Sequence, residues 1–239
     1  MSEPLFRTAP YLAEAEARVM AHTPEGGVVL DQTVFYPIGG GQPGDSGRLR
    51  WGDQSLSIAT AVKGEGEDIA LVPSEPAPLP PLGAVLRQQI DWPRRHRLMR
   101  MHTALHLLSV VIPLPVSGGG IGEERSRLDF DMPEAPTDRE TLQEHLNMLV
   151  DRDLLVSEEW ITEGALRANP GLVKTMSVTP PVGIGPVRLV RIGGGSDQVD
   201  LQPCGGTHVA RTGEIGRLRL GKIEKKGRQN RRVYVHLDA

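Results

Sequence analysis

The sequence predicts an α+β protein in two parts, a small N-terminal β-barrel or sandwich and a C-terminal α+β domain on a largely antiparallel sheet. Three observations predict it. The chain of 239 residues is 38% hydrophobic but only 4% aromatic and carries 28 Gly and 20 Pro, a composition suited to short strands and many turns rather than a helical bundle. Residues 73–81 hold five prolines, too many for helix or strand, and read as an extended connector. Beyond it, apolar stripes at steps of three and four alternate with short strand runs. At about 150 residues per domain the length allows one to two domains, here 1–84 and 85–239.

In the first part, residues 27–30, 33–36, 48–51, 56–61 and 69–72 are short apolar runs separated by Gly, Asp and Pro turns. Residues 85–90 read as a strand that opens the second part. Pro93 then starts a helix to about Ile112, because a proline in the first turn sacrifices no hydrogen bond and Leu98, Met101, Leu105, Leu108 and Ile112 form one stripe. The alternation Arg127-Leu128-Asp129-Phe130-Asp131 reads as a strand. Thr137-Asp138-Arg139-Glu140 has the capping-box pattern, with Leu142, Leu146 and Leu149 continuing a second helix to about Asp153. Residues 154–161, 187–192, 216–223 and 232–237 complete the strand set.

Several classes are excluded on the same grounds. The longest apolar run, 104–116, is broken by His106, Ser109, Pro113 and Pro115 and falls short of the ~18 residues of a membrane span. Residues 1–16 lack a basic start followed by an apolar stretch, so no secretory signal is expected. Cys204 is the one cysteine and has no disulfide partner, which suits a reducing, cytoplasmic setting. The net charge of −3 hides a segregation: residues 211–232 carry nine Lys or Arg against two Glu, and residues 91–101 four Arg against one Asp. Two basic patches on an acidic body point to a phosphate-bearing partner.

The chemistry concentrates in His102-x-x-x-His106, on the first predicted helix, and Cys204-Gly205-Gly206-Thr207-His208. An i, i+4 pair of imidazoles lies on one helix face and can converge. Four of the eight Cys and His residues fall into these two pairs. Two His plus Cys plus His is a nitrogen and sulfur set that one Zn²⁺ ion accepts tetrahedrally. Gly205 and Gly206 allow a tight bend or a close backbone approach.

These residues carry a family resemblance. His102-Thr103-Ala104-Leu105-His106 and Cys204-Gly205-Gly206-Thr207-His208-Val209 resemble the two zinc half-sites of stand-alone alanyl-tRNA editing proteins of the AlaX type, which are related to the editing domains of alanyl- and threonyl-tRNA synthetases. Residues 35–47, Arg127-Leu128-Asp129-Phe130 and the tail from Lys226 to Arg232 support it, so the resemblance covers nearly the whole chain. It implies a translation-factor type barrel, a zinc-bearing editing domain, and ATP-independent hydrolysis of serine or glycine from mischarged alanine-specific tRNA by a cytoplasmic monomer.

The chain departs from the family pattern at Leu105, where many relatives carry Thr, and near Gly118, where many carry Gln. Backbone N–H groups of the Gly118-Gly119-Gly120 run are then candidates for holding the ester. Asp129 is either a general base or a strut paired with Arg127, and the strand alternation favours the strut. Thr103 or Thr207, each beside a zinc ligand, is expected to hydrogen-bond the serine hydroxyl. For tRNA, an exposed Gly40-Gly41-Gln42 turn is expected to meet the acceptor stem, and Lys225, Lys226 and Arg228, with Arg94, Arg95, Arg97 and Arg100, to meet phosphates. Two other readings compete: a GGQ-type peptidyl-tRNA hydrolase built on Gly40, Gly41 and Gln42, and a non-catalytic, zinc-stabilised RNA-binding module.

Overall fold

A computed structural model describes residues 2–174 and 185–238, which divide into two compact units, Met1–His96 and Arg97–Ala239. The first contains strands β1 (Glu3–Pro4), β2 (Glu14–His22), β3 (Val28–Leu30), β4 (Gln32–Thr33), β5 (Gly47–Trp51), β6 (Gln54–Lys63), β7 (Ile69–Pro73) and β8 (Val85–Ile90). Six of them close into an antiparallel barrel in the order β2-β3-β7-β6-β5-β8. Its interior is filled by Val19, Val28, Leu30, Leu49, Ile58, Leu71 and Leu86, among others. Strands β1 and β4 form a separate parallel pair.

Three sequence expectations change here. The strand at Val85–Ile90, expected to open the second domain, pairs with both β2 and β5, so it closes the barrel; the proline-rich segment is a loop within this unit. Its alternation explains why, since Leu86, Gln88 and Ile90 face inward. Strand β2 went unread because its inward positions include small alanines such as Ala17. In the predicted run 33–36 only Thr33 is strand, and side chains replace the ladder: Val34 N–H donates to Gln88 Oε1 at 3.0 Å and Tyr36 N–H to Asp45 Oδ2 at 2.6 Å.

Asp45 is 1% exposed and faces Arg95, which is fully buried. The Arg95 Nε donates to both carboxylate oxygens at 3.0 Å, and its Nη atoms donate to the carbonyls of Val34 (2.7 Å) and Pro10 (3.1 Å). The expected phosphate-facing arginines near residue 94 are therefore largely structural. Arg94 donates to Gly44 O at 2.9 Å, and in the second unit Arg97 pairs with Glu123 and Arg100 donates to Ile215 O.

Gly39 and Gln42 exchange backbone hydrogen bonds across Gly40 and Gly41, whose φ angles of 57° and 80° are the pair that a primed two-residue turn demands. The two glycines are exposed, but Gln42 is 0% exposed, which corrects the expectation of an accessible Gly-Gly-Gln tip.

Helix α1 (Trp92–Val111) carries the predicted stripe. The second unit continues with β9 (Val116–Gly120), β10 (Arg125–Asp131), α2 (Arg139–Asp151), β11 (Val156–Ile161), α3 (Glu163–Ala168), β12 (Val187–Ile192), β13 (Asp200–Pro203), β14 (Leu218–Lys225) and β15 (Asn230–Leu237). Two antiparallel sheets result, ordered β14-β15-β10-β9 and β11-β12-β13. The cap of α2 is Asp138 rather than Thr137: its carboxylate accepts from the Thr141 amide at 2.9 Å and from the Thr141 hydroxyl at 2.6 Å. Helix α2 also lies along the β14 edge, where Asn147 and Gln143 accept from the amides of Leu218 (2.9 Å) and Leu220 (2.8 Å). No helix among the described residues is long and apolar enough to cross a membrane.

Candidate metal centre

Two local structures supply the four candidate ligands. Helix α1 puts His102 and His106 one turn apart on its buried face, 6% exposed each. Strand β13 ends at Pro203, and the bend through Gly205 and Gly206 returns the chain so that His208, 5% exposed, comes back over Cys204. The Cys204 Sγ lies 3.4 Å from His102 Nε2 and 3.3 Å from His208 Nε2, and one ligand atom from each of the four residues falls within 4.8 Å of the others. Ligands at about 2.0–2.3 Å from a tetrahedral Zn²⁺ stand roughly 3.3–3.8 Å apart, so the donor types and the two Cys204 distances fit that ion.

The surroundings turn these rings toward one point. His106 Nδ1 donates to Asp200 Oδ2 at 2.8 Å, which in the neutral ring leaves the Nε2 lone pair for a metal. Asp200 is fully buried at its side chain; Gln202 donates to the same oxygen at 2.8 Å and Lys174 to the other at 2.5 Å. On His208, Nδ1 faces Thr103 Oγ1 at 3.3 Å. Burial opposes a charge on each of these groups, but the partners prevail for three of them. Hydrogen bonds to Asp200 and Cys204 raise His106 to about 9, while His106 and Lys174 hold Asp200 at about 2. The neighbouring His102 and His208 keep the Cys204 thiol well below its ordinary value, favouring the thiolate that binds metal. His208 goes the other way: burial and then His102 push it well below the usual imidazole value, toward the neutral ligating form.

A second buried group fixes the Cys204 loop. Arg188 on β12 is 7% exposed; its Nη1 donates to the carbonyls of Cys204 at 2.7 Å and Gly206 at 2.9 Å, while Nη2 pairs with Glu158 at 2.5 Å.

The other expected site residues lie as follows. Thr103 is fully buried: its hydroxyl donates to Met99 O at 2.9 Å and receives the Val209 amide at 3.3 Å as well as facing His208. All its hydrogen-bonding capacity is used, so it orients His208 and has none left for a serine hydroxyl. Thr207 is 1% exposed. Asp129 is gripped by Arg127 at 2.7 Å and by Arg232 at 2.7 and 2.9 Å, which together hold its carboxyl below the ordinary range despite partial burial. Gly118 and Gly120 stand opposite Asp129 and Arg127 in the β9–β10 ladder, so the glycine run is an edge strand. Leu105 belongs to the apolar core.

Sequence reasoning missed Asp200, Gln202, Lys174 and Arg188. The readable signal was the alternation Asp200-Leu201-Gln202-Pro203, which puts Asp200 and Gln202 on one strand face just before Cys204.

Residues 187–234, which run from β12 through the Cys204 loop into β15, match the family described as the threonyl and alanyl tRNA synthetase second additional domain. Over the full length, the chain is 33% identical to the alanyl-tRNA editing protein AlaX-M of Methanosarcina acetivorans, covering 99% of each. This chain belongs to the alanyl-tRNA editing protein family. The AlaX-M protein of Saccharolobus solfataricus is likewise 33% identical, with 98% of each chain covered. The alanine–tRNA ligase of Pyrobaculum arsenaticum is 33% identical over 92% of this chain, which spans 25% of that ligase.

In this alanyl-tRNA editing protein Thr103 gives a first test. Thr103→Val is expected to weaken metal binding at this cluster by about 10- to 100-fold, as loss of a partner that orients a ligating His does. Competition with a chromophoric chelator measures it, and unchanged affinity would remove Thr103 from the site.

Proposed function

We propose that this protein is a trans-editing hydrolase that removes serine from mischarged alanine-specific tRNA with the help of one zinc ion, glycine being the alternative substrate. The observation that carries the reading is the convergence of His102, His106, Cys204 and His208, with buried partners on two of the imidazoles and a clamp on the cysteine loop. Zinc held there supplies a Lewis acid that either lowers the pKa of water or holds the amine or hydroxyl of the amino acid. Asp200 and Thr103 keep their rings in one orientation, so the site is preorganised before substrate arrives. Asp129, locked by Arg127 and Arg232, acts as a strut rather than a base.

Serine is larger than alanine, so shape cannot exclude the correct product. A polar pocket can, because alanine leaves its buried partners unpaired at about 1–3 kcal/mol each. With Thr103 fully bonded, the residue that meets the serine hydroxyl must come from elsewhere, Thr207 being the remaining threonine beside a ligand. The peptidyl-tRNA hydrolase reading loses support from the burial of Gln42 and leaves the His and Cys convergence unexplained.

Deacylation of serine-charged alanine-specific tRNA beside the alanine-charged form tests the proposal. Faster loss of serine is expected, and equal cleavage of both overturns editing specificity. Binding of the tRNA without hydrolysis of either ester would favour the binding-module reading.

For tRNA binding the exposed candidates are Lys225, Lys226 and Arg228 on the β14–β15 hairpin, and the Gly40-Gly41 backbone turn. Lys226 shares Glu224 with Lys222, at 2.9 Å from Lys226 Nζ, which leaves Lys225 and Arg228 as the stronger phosphate partners. Neutralising Lys225, Lys226 and Arg228 together is expected to reduce the log–log salt dependence of tRNA affinity by about one unit for each phosphate that no longer meets a cation. An unchanged slope would mean that the hairpin is only a solvated turn.

A further inference from the structure

The Arg188 clamp has an effect on the opposite side of the loop. A trans peptide is planar, so its C=O and N–H point in opposite directions. Arg188 draws the Cys204 carbonyl onto its buried guanidinium at 2.7 Å, which turns the Gly205 N–H of the same peptide away from the protein interior. Gly205 is exposed, a Cβ built on it would meet nothing within 4 Å, and no hydrogen bond among the described residues takes its amide. Cys204 is the least buried of the four candidate ligands, so this peptide lies on the more exposed side of the cluster. A second clamp bond runs from Arg188 to the Gly206 carbonyl at 2.9 Å, so two carbonyls of the loop are held by one guanidinium.

We infer that the Gly205 amide is the donor that stabilises the oxyanion of ester hydrolysis and that Arg188 is the positioning residue that aims it; the inference rests on the deacylase reading above. Attack by a water oxygen forms a bond to the ester carbon and moves the carbonyl π pair onto its oxygen, where the Gly205 N–H donates to the new charge. Collapse returns that pair, breaks the bond to the ribose oxygen, and leaves on that oxygen the proton released by the attacking water. A fixed backbone donor needs no reorganisation as charge develops, and a glycine at 205 keeps the approach free of a side chain.

The test compares zinc-loaded Gly205→Pro, which lacks the amide proton, with Gly205→Ala, which keeps it. Proline is expected to lower kcat about 10²- to 10³-fold with KM little changed and zinc content intact, a far larger loss than in the alanine protein, which keeps the donor and adds only a methyl group to the approach. Should proline disturb folding, glycolic acid at position 205 removes the N–H without adding an atom, and the same loss is expected. Equal kcat in the alanine and the amide-less proteins overturns the inference and moves the donor elsewhere, to the β9 edge for instance. If the parent hydrolyses no seryl-tRNA, the deacylase reading fails by itself, and binding of a seryl phosphonate ester of adenosine decides the donor. Tighter binding by the parent and Gly205→Ala than by the amide-less proteins supports it; no difference, or no binding, overturns it.

Discussion

Arg95→Met is expected to lower the unfolding free energy by about 3–5 kcal/mol, the cost of stranding a buried charge when its partner is removed. Asp45 would remain 1% exposed with only the Tyr36 amide to hold it, and the carbonyls of Val34 and Pro10 would lose their donor. A shift of the urea midpoint at constant slope measures the effect. A shift of under about 1 kcal/mol would show that the pair contributes little beyond its packing. The double variant Asp45→Asn/Arg95→Met is expected to regain part of the loss, because no unpaired charge is then left buried.

The second large effect concerns the metal. Stripping the protein with a strong chelator is expected to abolish deacylation of serine-charged tRNA, and adding back zinc to restore it. Cys204→Ala should behave as the stripped protein does even with zinc present, since three imidazoles lose their anionic companion. Stability should move in parallel. Zinc at a thousandfold excess over its dissociation constant adds about 4 kcal/mol to a state that alone binds it, readable as a rise in melting temperature. Full activity after chelation would overturn the zinc-dependent mechanism, whatever the geometry of the cluster.

Much of the centre could be read from the chain because its ligands come in two local pairs. His102 and His106 need only one helix turn, and Cys204 to His208 only one bend, so sequence spacing fixes half of the geometry of each. What spacing cannot carry is the pairing of distant segments. Asp200 reaches His106 from strand β13 and is itself held by Lys174, and Arg188 reaches the Cys204 loop from the neighbouring strand. Charge counting failed for a related reason. Arg94, Arg95, Arg97 and Arg100 form a basic run along the chain, yet each finds an acceptor far away in sequence, so net charge over a window says little about what faces solvent. Gln42 shows the same limit: the primed turn at Gly40-Gly41 was legible, but the next side chain turns into the core.

The fastening of α2 along β14 also decides what this sheet cannot do. A bare outer strand is a template on which another polypeptide can extend the ladder, and the amides of Leu218 and Leu220 would serve as its first rungs. Asn147 and Gln143 already occupy those rungs, and the Asn147 amide group returns a bond to Leu218 O at 2.8 Å. The helix thereby imitates a neighbouring strand using side chains alone. At Leu218 and Leu220 the border has no rung left to offer an added strand, a safeguard that two carboxamides provide without lengthening the sheet.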